Sequence, residues 1–374
     1  MIRRGSLVLL LPLLASCEHT PPFAAGPAGV SGALAGGTPT RLTYNPGDND
    51  RAGWLPDGSG FLYTQERLDL PNDERCLARM PAHGGTVTLT ICGSLEASQD
   101  SQLTFESPAV SQAGALAYLR AGTINVGATG FDANALLLTS LAAPESAVIL
   151  QRVPFFGPNA RPVDNLSQLQ WLDDTSLIVL GEREVFPTCL GCLPDTIRSG
   201  IEIDRVNVGA GGVHVVAIPQ TDQASSFSVA NGGSAIFYTL NGEPYIYAEP
   251  LALGFGSLFR DFGPGVIVRD ISVAQGRYVV VTGGQVTQYV DSLGTMQRDH
   301  GGDLHLIDTG TGNEITVVLA AAFARRPVLS PDGHEVVFER YPYVINVLRA
   351  PDGTLIGVDT VVSHVADLWS LQWP

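Results

Sequence analysis

The sequence predicts an all-β fold: four-stranded units repeated around an axis as a β-propeller of six blades, with seven as the alternative. Three observations lead there. The stretch AGWLPDGSGFLYT (52–64) returns near the other end as RPVLSPDGHEVVFE (326–339), with looser copies between them. Every copy reads as a short strand, a turn at Pro-Asp-Gly or its equivalent, and a more apolar strand. Beyond the N-terminal leader no amphipathic stretch reaches helical length. Units that cannot bury an apolar face alone must stack on their neighbours, so the repeat predicts the architecture.

Taken in chain order, residues 1–16 read as a signal peptide. Arg3 and Arg4 form its basic end, and the apolar core at 7–14 is too short for a permanent membrane span. Leu14-Ala15-Ser16-Cys17 resembles the lipobox of bacterial lipoproteins, which implies that Cys17 becomes the lipidated first residue. Glu18 follows where aspartate would favour inner-membrane retention, so the outer membrane, facing the periplasm, is the expected location. The rest of 17–37 is rich in Gly, Ala and Pro and reads as a flexible tether.

The repeats then run with turns at Gly58, Gly114, Asp173-Asp174, Gly232, Gly276 and Gly333, spaced from 44 to about 60 residues apart. Proline pre-sets φ, aspartate bonds its own backbone, and glycine accepts a positive φ. The strands that follow, such as Phe61-Leu62-Tyr63, Ile236-Phe237-Tyr238 and Val336-Val337-Phe338, suit positions packed on both faces. Second strand pairs are expected at 76–80 with 86–92, 303–308 with 314–320, and 344–348 with 354–361. The tail at 368–373 is expected to pair into the first blade and close the ring.

Residues 38–374 resemble the TolB-type β-propeller family, whose blades carry a Trp-Ser-Pro-Asp-Gly motif before an apolar strand, often with Leu-Thr upstream. Here the motif stands as Trp54-Leu55-Pro56-Asp57-Gly58 and Leu329-Ser330-Pro331-Asp332-Gly333, and Leu42-Thr43 and Leu103-Thr104 precede the first two copies. The middle four copies have lost Pro-Asp. Related repeats form the propeller half of prolyl-oligopeptidase-like enzymes, where a hydrolase domain follows. This sequence ends with its last repeat, so that domain is expected to be missing.

Of five cysteines, four remain after Cys17, an even number that fits an oxidising compartment. Cys76 and Cys92 flank one expected hairpin and are disulfide candidates. Cys189 and Cys192 are the second candidate pair, as a clip across one loop. A redox pair or a four-cysteine zinc site are the other readings, but a redox pair needs a helix N-terminus that a Gly/Pro turn does not supply.

The formal charge of −16 argues against nucleic acid as a partner. All 21 basic residues are arginine, which excludes lysine chemistry and a phosphate-binding loop. No Gly-x-Ser-x-Gly or His-Glu-x-x-His occurs. Residues 298–308 form the densest polar cluster, read as a polar loop entering a strand, with a metal or acid–base site at His300, Asp303 and His305 as the sharper alternative. The loop at 45–50 resembles part of a calcium loop but lacks the distal glutamate. Trp54 and Trp171 hold equivalent repeat positions, as core or channel-lining residues.

No catalytic residue, cofactor or metal is assigned on these grounds. The function expected is a monomeric, lipid-anchored interaction module for another envelope protein, touching the membrane through its lipid alone. The alternatives are a hydrolase or lyase with its active site in the channel, and a glycan or small-ligand binder.

Overall fold

The computed structural model describes residues 30–31, 38–69, 74–92, 104–126, 129–151, 165–185, 198–208, 214–230, 232–252, 254–283, 287–291, 294–298, 302–317, 319, 322–363 and 365–373. Among them every regular element is a strand. In chain order the strands begin with β1 (Val30–Ser31), β2 (Thr40–Arg41), β3 (Asn49–Trp54), β4 (Gly60–Arg67), β5 (Glu74–Pro81) and β6 (Leu89–Ile91). Next come β7 (Thr104–Val110), β8 (Ala115–Val126), β9 (Thr129–Ser140), β10 (Ala143–Gln151), β11 (Asn165–Asp173), β12 (Ser176–Val185), β13 (Arg198–Asn207) and β14 (His214–Ala217). They are followed by β15 (Ala224–Val229), β16 (Ala235–Leu240), β17 (Tyr245–Pro250), β18 (Ser257–Asp261), β19 (Ile267–Ala274), β20 (Arg277–Gly283), β21 (Thr287–Asp291) and β22 (Gly294–Arg298). The last are β23 (Asp303–Asp308), β24 (Asn313–Val317), β25 (Ala322–Leu329), β26 (Glu335–Arg349), β27 (Leu355–Val362) and β28 (Asp367–Gln372).

These strands build a β-propeller. Antiparallel sheets run β11-β12-β13-β14, β15-β16-β17-β18, β19-β20-β23-β24 and β25-β26-β28-β2, while β3 to β10 form one eight-stranded sheet. The first strand of each sheet faces the axis. The second is the most buried: Phe61, Leu62, Tyr63, Val336, Val337 and Phe338 are each 0% exposed, as the apolar runs after the turns predict. Apolar clusters lie between successive sheets, the last joining Val337 and Leu368 to Phe61 and Tyr63, so the series returns to its start.

The turns keep the predicted chemistry. Gly58 and Gly333 adopt φ of 71° and 75°, and their amides bond Leu55 O and Ser330 O at 3.0 and 2.8 Å. Where glycine is missing, the Asp173 carboxylate accepts the Thr175 amide at 2.7 Å.

Ring closure differs from the expectation. The tail does not join the first blade; β28 is the third strand of the last sheet, between β26 and β2. Residues 344–348 and 354–361 do pair, but as a hairpin projecting off that sheet, because β26 runs on past its partner and turns onto β27. The sheet therefore lacks a third strand until 367–372 supplies one. The N-terminal strand β2 then adds the outer edge through Thr40↔Ser370 and Arg41↔Trp369. A two-residue strand within the segment read as tether, β1, pairs with the outer edge of β24.

Candidate functional site

Six inner strands, β3, β7, β11, β15, β19 and β25, line a cavity of about 460 Å³ on the axis. Each is interrupted near its start by a break in register, between Asp50 and Gly53, Glu106 and Ala109, Leu166 and Gln168, Ala224 and Ser226, Val268 and Asp270, and Arg325 and Val328. The residues at the breaks are Arg51, Ser107, Ser167, Ser225, Arg269 and Arg326. Three of them, Arg51, Ser107 and Arg326, take φ of 53°, 51° and 42°. A bulge leaves a residue unpaired and re-aims its side chain, here beside the axis.

Inner strands of neighbouring sheets diverge and cannot pair directly, so side chains satisfy their edge amides. Ser228 Oγ accepts the Val273 amide at 3.0 Å, Ser272 Oγ accepts Leu329 at 2.9 Å, and Gln170 Oε1 accepts Val229 at 2.7 Å. Trp54 and Trp171 do line the cavity. Their indole N–H groups donate to Val328 O and Ala109 O, at 3.1 and 3.0 Å, each on the preceding inner strand.

Guanidinium–carboxylate pairs fill the bulged end. Arg326 Nη1 contacts both Glu339 oxygens at 2.9 and 3.2 Å, and Tyr341 donates its hydroxyl to the same carboxylate at 2.8 Å. Arg325 Nε meets Asp270 at 2.6 Å, and Asp270 also accepts the Arg326 amide at 3.1 Å. Arg51 links three sheets: its amide donates to Glu339 at 2.7 Å, and its Nη1 reaches Glu106 at 2.9 Å and Ser167 O at 3.0 Å. Arg75 pairs with Asp50 and lies 3.4 Å from Asp48.

The electrostatics follow from this packing. Burial, then the neighbouring Asp50 charge, push Asp48 up to about 6, against the Ala366 amide and Arg75 that favour its ionised form. Burial alone would raise Asp270, but the Arg325 and Arg326 guanidiniums and the Arg326 amide together outweigh it and hold the carboxyl below its usual value. Burial raises the Tyr341 hydroxyl, with the Glu339 charge adding to it.

The residues singled out from sequence stand elsewhere or serve the frame. Asp48 and Asp50, from the calcium-like loop, turn onto Arg75, whose guanidinium already supplies them a cation. Asp303 and His305 share a face of β23, the third strand outward, away from the axis. His305 hydrogen-bonds with Thr282 Oγ1 at 2.7 Å and Thr316 Oγ1 at 3.2 Å, and burial lowers its pKa. Among the described residues no three His, Cys, Asp or Glu side chains cluster as metal ligands. Cys76 and Cys92 form a disulfide with Cα atoms 4.5 Å apart. Cys17, Cys189, Cys192 and His300 lie outside the described residues.

Sequence reasoning missed Arg51, Arg75, Arg325, Arg326, Asp270 and Glu339. A signal was present: in each repeat a Ser or Arg interrupts the inner strand three or four residues before the position held by Trp54 and Trp171.

Four connections between second and third strands rise on this same end of the channel. Thr104 pairs with Ala121, yet β8 and β9 continue together to Val126 and Thr129. Asn165 pairs with Glu182, while β12 and β13 reach Val185 and Arg198. The hairpins β21–β22 and β26–β27 follow strands that end opposite Ile267 and Ala322.

No family model and no curated protein matches the chain. Among solved structures it is similar to TolB from Acinetobacter baumannii, at 14% identity and a TM-score of 0.46, covering 86% of this chain and 66% of that one. It is also similar to XC5397 from Xanthomonas campestris, described as a gluconolactonase, at 12% identity and a TM-score of 0.49, covering 94% and 97%. A third similarity is to the nidogen/laminin complex, at 10% identity and a TM-score of 0.45, covering 73% and 81%.

Proposed function

We propose that this chain is a six-bladed, TolB-like propeller, lipid-anchored at Cys17 in the bacterial envelope, that binds another envelope protein at the bulged mouth of its channel. The blade count is supported by the eight-stranded sheet, whose halves touch through a single parallel pair, Arg75 with Thr104. Across that junction Leu62 and Leu77 face Leu116 and Leu137 in one apolar cluster, as the facing strands of adjacent blades do elsewhere. The leader and Leu14-Ala15-Ser16-Cys17 support the anchor.

The observation that carries the binding role is the set of elongated hairpins around the charged mouth, on the blades' shared face. Their strands extend past the inner strands on the side where the mouth opens, and a recessed opening is the concave form that binding surfaces take. The charged groups at the mouth are engaged with one another, which suits a rigid docking face better than proton transfer.

Two measurements test this. A photo-crosslinking residue at Ser167, in the mouth, is expected to give one stoichiometric protein adduct in intact envelopes, and the same residue at Val216 on an outer strand none. Equal labelling from both positions counts against the mouth. Cys17→Ser is expected to abolish labelling by radioactive palmitate and release the protein to the soluble fraction; unchanged membrane association rejects the anchor.

A further inference from the structure

The charges at the mouth are layered. Arg325 and Arg326 side chains are 31% and 38% exposed, whereas their partners Asp270 and Glu339 are 5% and 0% exposed. Asp50, 4.0 Å from Arg326, is likewise only 5% exposed. In these pairs the guanidinium is therefore the exposed partner, with the carboxylate behind it. The carboxylates fix the forks without using them up. Asp270 takes Nε and Nη2 of Arg325, at 2.6 and 3.5 Å, and Glu339 takes Nη1 of Arg326. Arg325 Nη1 and Arg326 Nη2 have no hydrogen-bond partner among the described residues. Pro327 follows them, so the strand donates no amide there, and the bulge holds both forks at the cavity wall.

We propose that Arg325 and Arg326 form a carboxylate-binding subsite at the channel mouth, which receives an acidic side chain or chain terminus of the partner. A planar guanidinium already oriented by a buried carboxylate loses little freedom on accepting a second one, and its fork geometry matches a carboxylate in a way that an ammonium does not. The inference rests on the interaction reading above and deepens it.

The test is calorimetric titration at low salt with acetyl-(Glu)3-amide, acetyl-(Gln)3-amide and succinate, on the wild type and on R325K/R326K. Lysine keeps both buried carboxylates paired while removing the forks. Saturable one-to-one binding of the glutamyl peptide is expected, with none for the glutaminyl peptide. The double variant is expected to bind at least tenfold more weakly, with its melting temperature unchanged. Succinate binding as tightly as the peptide assigns the same subsite to a free dicarboxylic acid. Absence of saturable binding to either acid, or equal affinity in a folded double variant, overturns the proposal. Should that variant not fold, crystals of the wild type soaked in succinate decide: density bridging the two guanidiniums supports the subsite, and its absence rejects it. A partner crosslinked equally by wild type and variant removes the subsite and leaves the interaction reading standing.

Discussion

Asp48 sits where the chain ends meet: its Oδ1 accepts the Ala366 amide at 2.7 Å, and its carboxyl is raised from 3.8 to about 6. A raised carboxyl pKa gives stability that is whole below pH 3.8 and declines as pH climbs through 6, because the unfolded chain releases its proton first. Asp48→Asn keeps the acceptor and removes the charge. It is expected to stabilise the protein by about 2 kcal/mol at pH 8 and to have little effect at pH 3.5, by denaturant titration at both pH values. Glu249 behaves alike. It is 1% exposed, its Oε2 lacks a hydrogen-bond partner, and burial raises its pKa. For Glu249→Gln the melting temperature is expected to fall less than that of the wild type between pH 5 and pH 8. An identical slope rejects burial of the charge as the cause. The burial of neither residue is legible in the sequence, since it depends on strands far away in the chain.

At the scale of the element, the inner strands carry the ring. Across the gaps Ser and Gln oxygens accept from their amides and Trp indoles donate to their carbonyls, so these residues join neighbouring blades and are more than filler. Ser228→Ala leaves the buried Val273 amide without its acceptor and is expected to cost about 1–3 kcal/mol. Trp54→Phe and Trp171→Phe each lose one indole hydrogen bond, about 1 kcal/mol, and act at separate interfaces. Their effects on chemical denaturation are expected to add. A large shortfall from additivity would mean the interfaces are coupled. Gly53 marks a close approach between inner strands, since a Cβ there would lie 2.3 Å from Pro108 O, so Gly53→Ala is expected to be worse tolerated than Gly58→Ala, where only the positive φ opposes a side chain. The strand–turn–strand grammar was legible from 2-residue alternation and turn chemistry. The bulges were not, because nothing in one short strand says where its partner's register breaks.

For the whole molecule, closure is the point of weakness. Arg41 pairs with Asp367 at 2.8 Å, and the Leu42 amide bonds Leu368 O at 2.8 Å. Removing residues 1–41 strips β2 from the last sheet and exposes the edge of β28. The truncated protein is expected to melt at least 5 °C lower and to aggregate on heating. An unchanged melting curve would show that the last sheet is held by its apolar faces alone.

The sequence by itself determined the all-β class, the repeating unit, the glycine turns and the buried second strands, because all of these are local consequences of side-chain periodicity and backbone preference. Tertiary structure alone decided which strand closes the ring, and it alone brought Arg51, Glu339, Arg326 and Asp270 to one mouth. Those residues lie up to 288 positions apart, and only the circular order of the sheets makes them neighbours. A local pattern specifies how a strand packs, but the meeting of distant strands depends on the geometry of the closed ring.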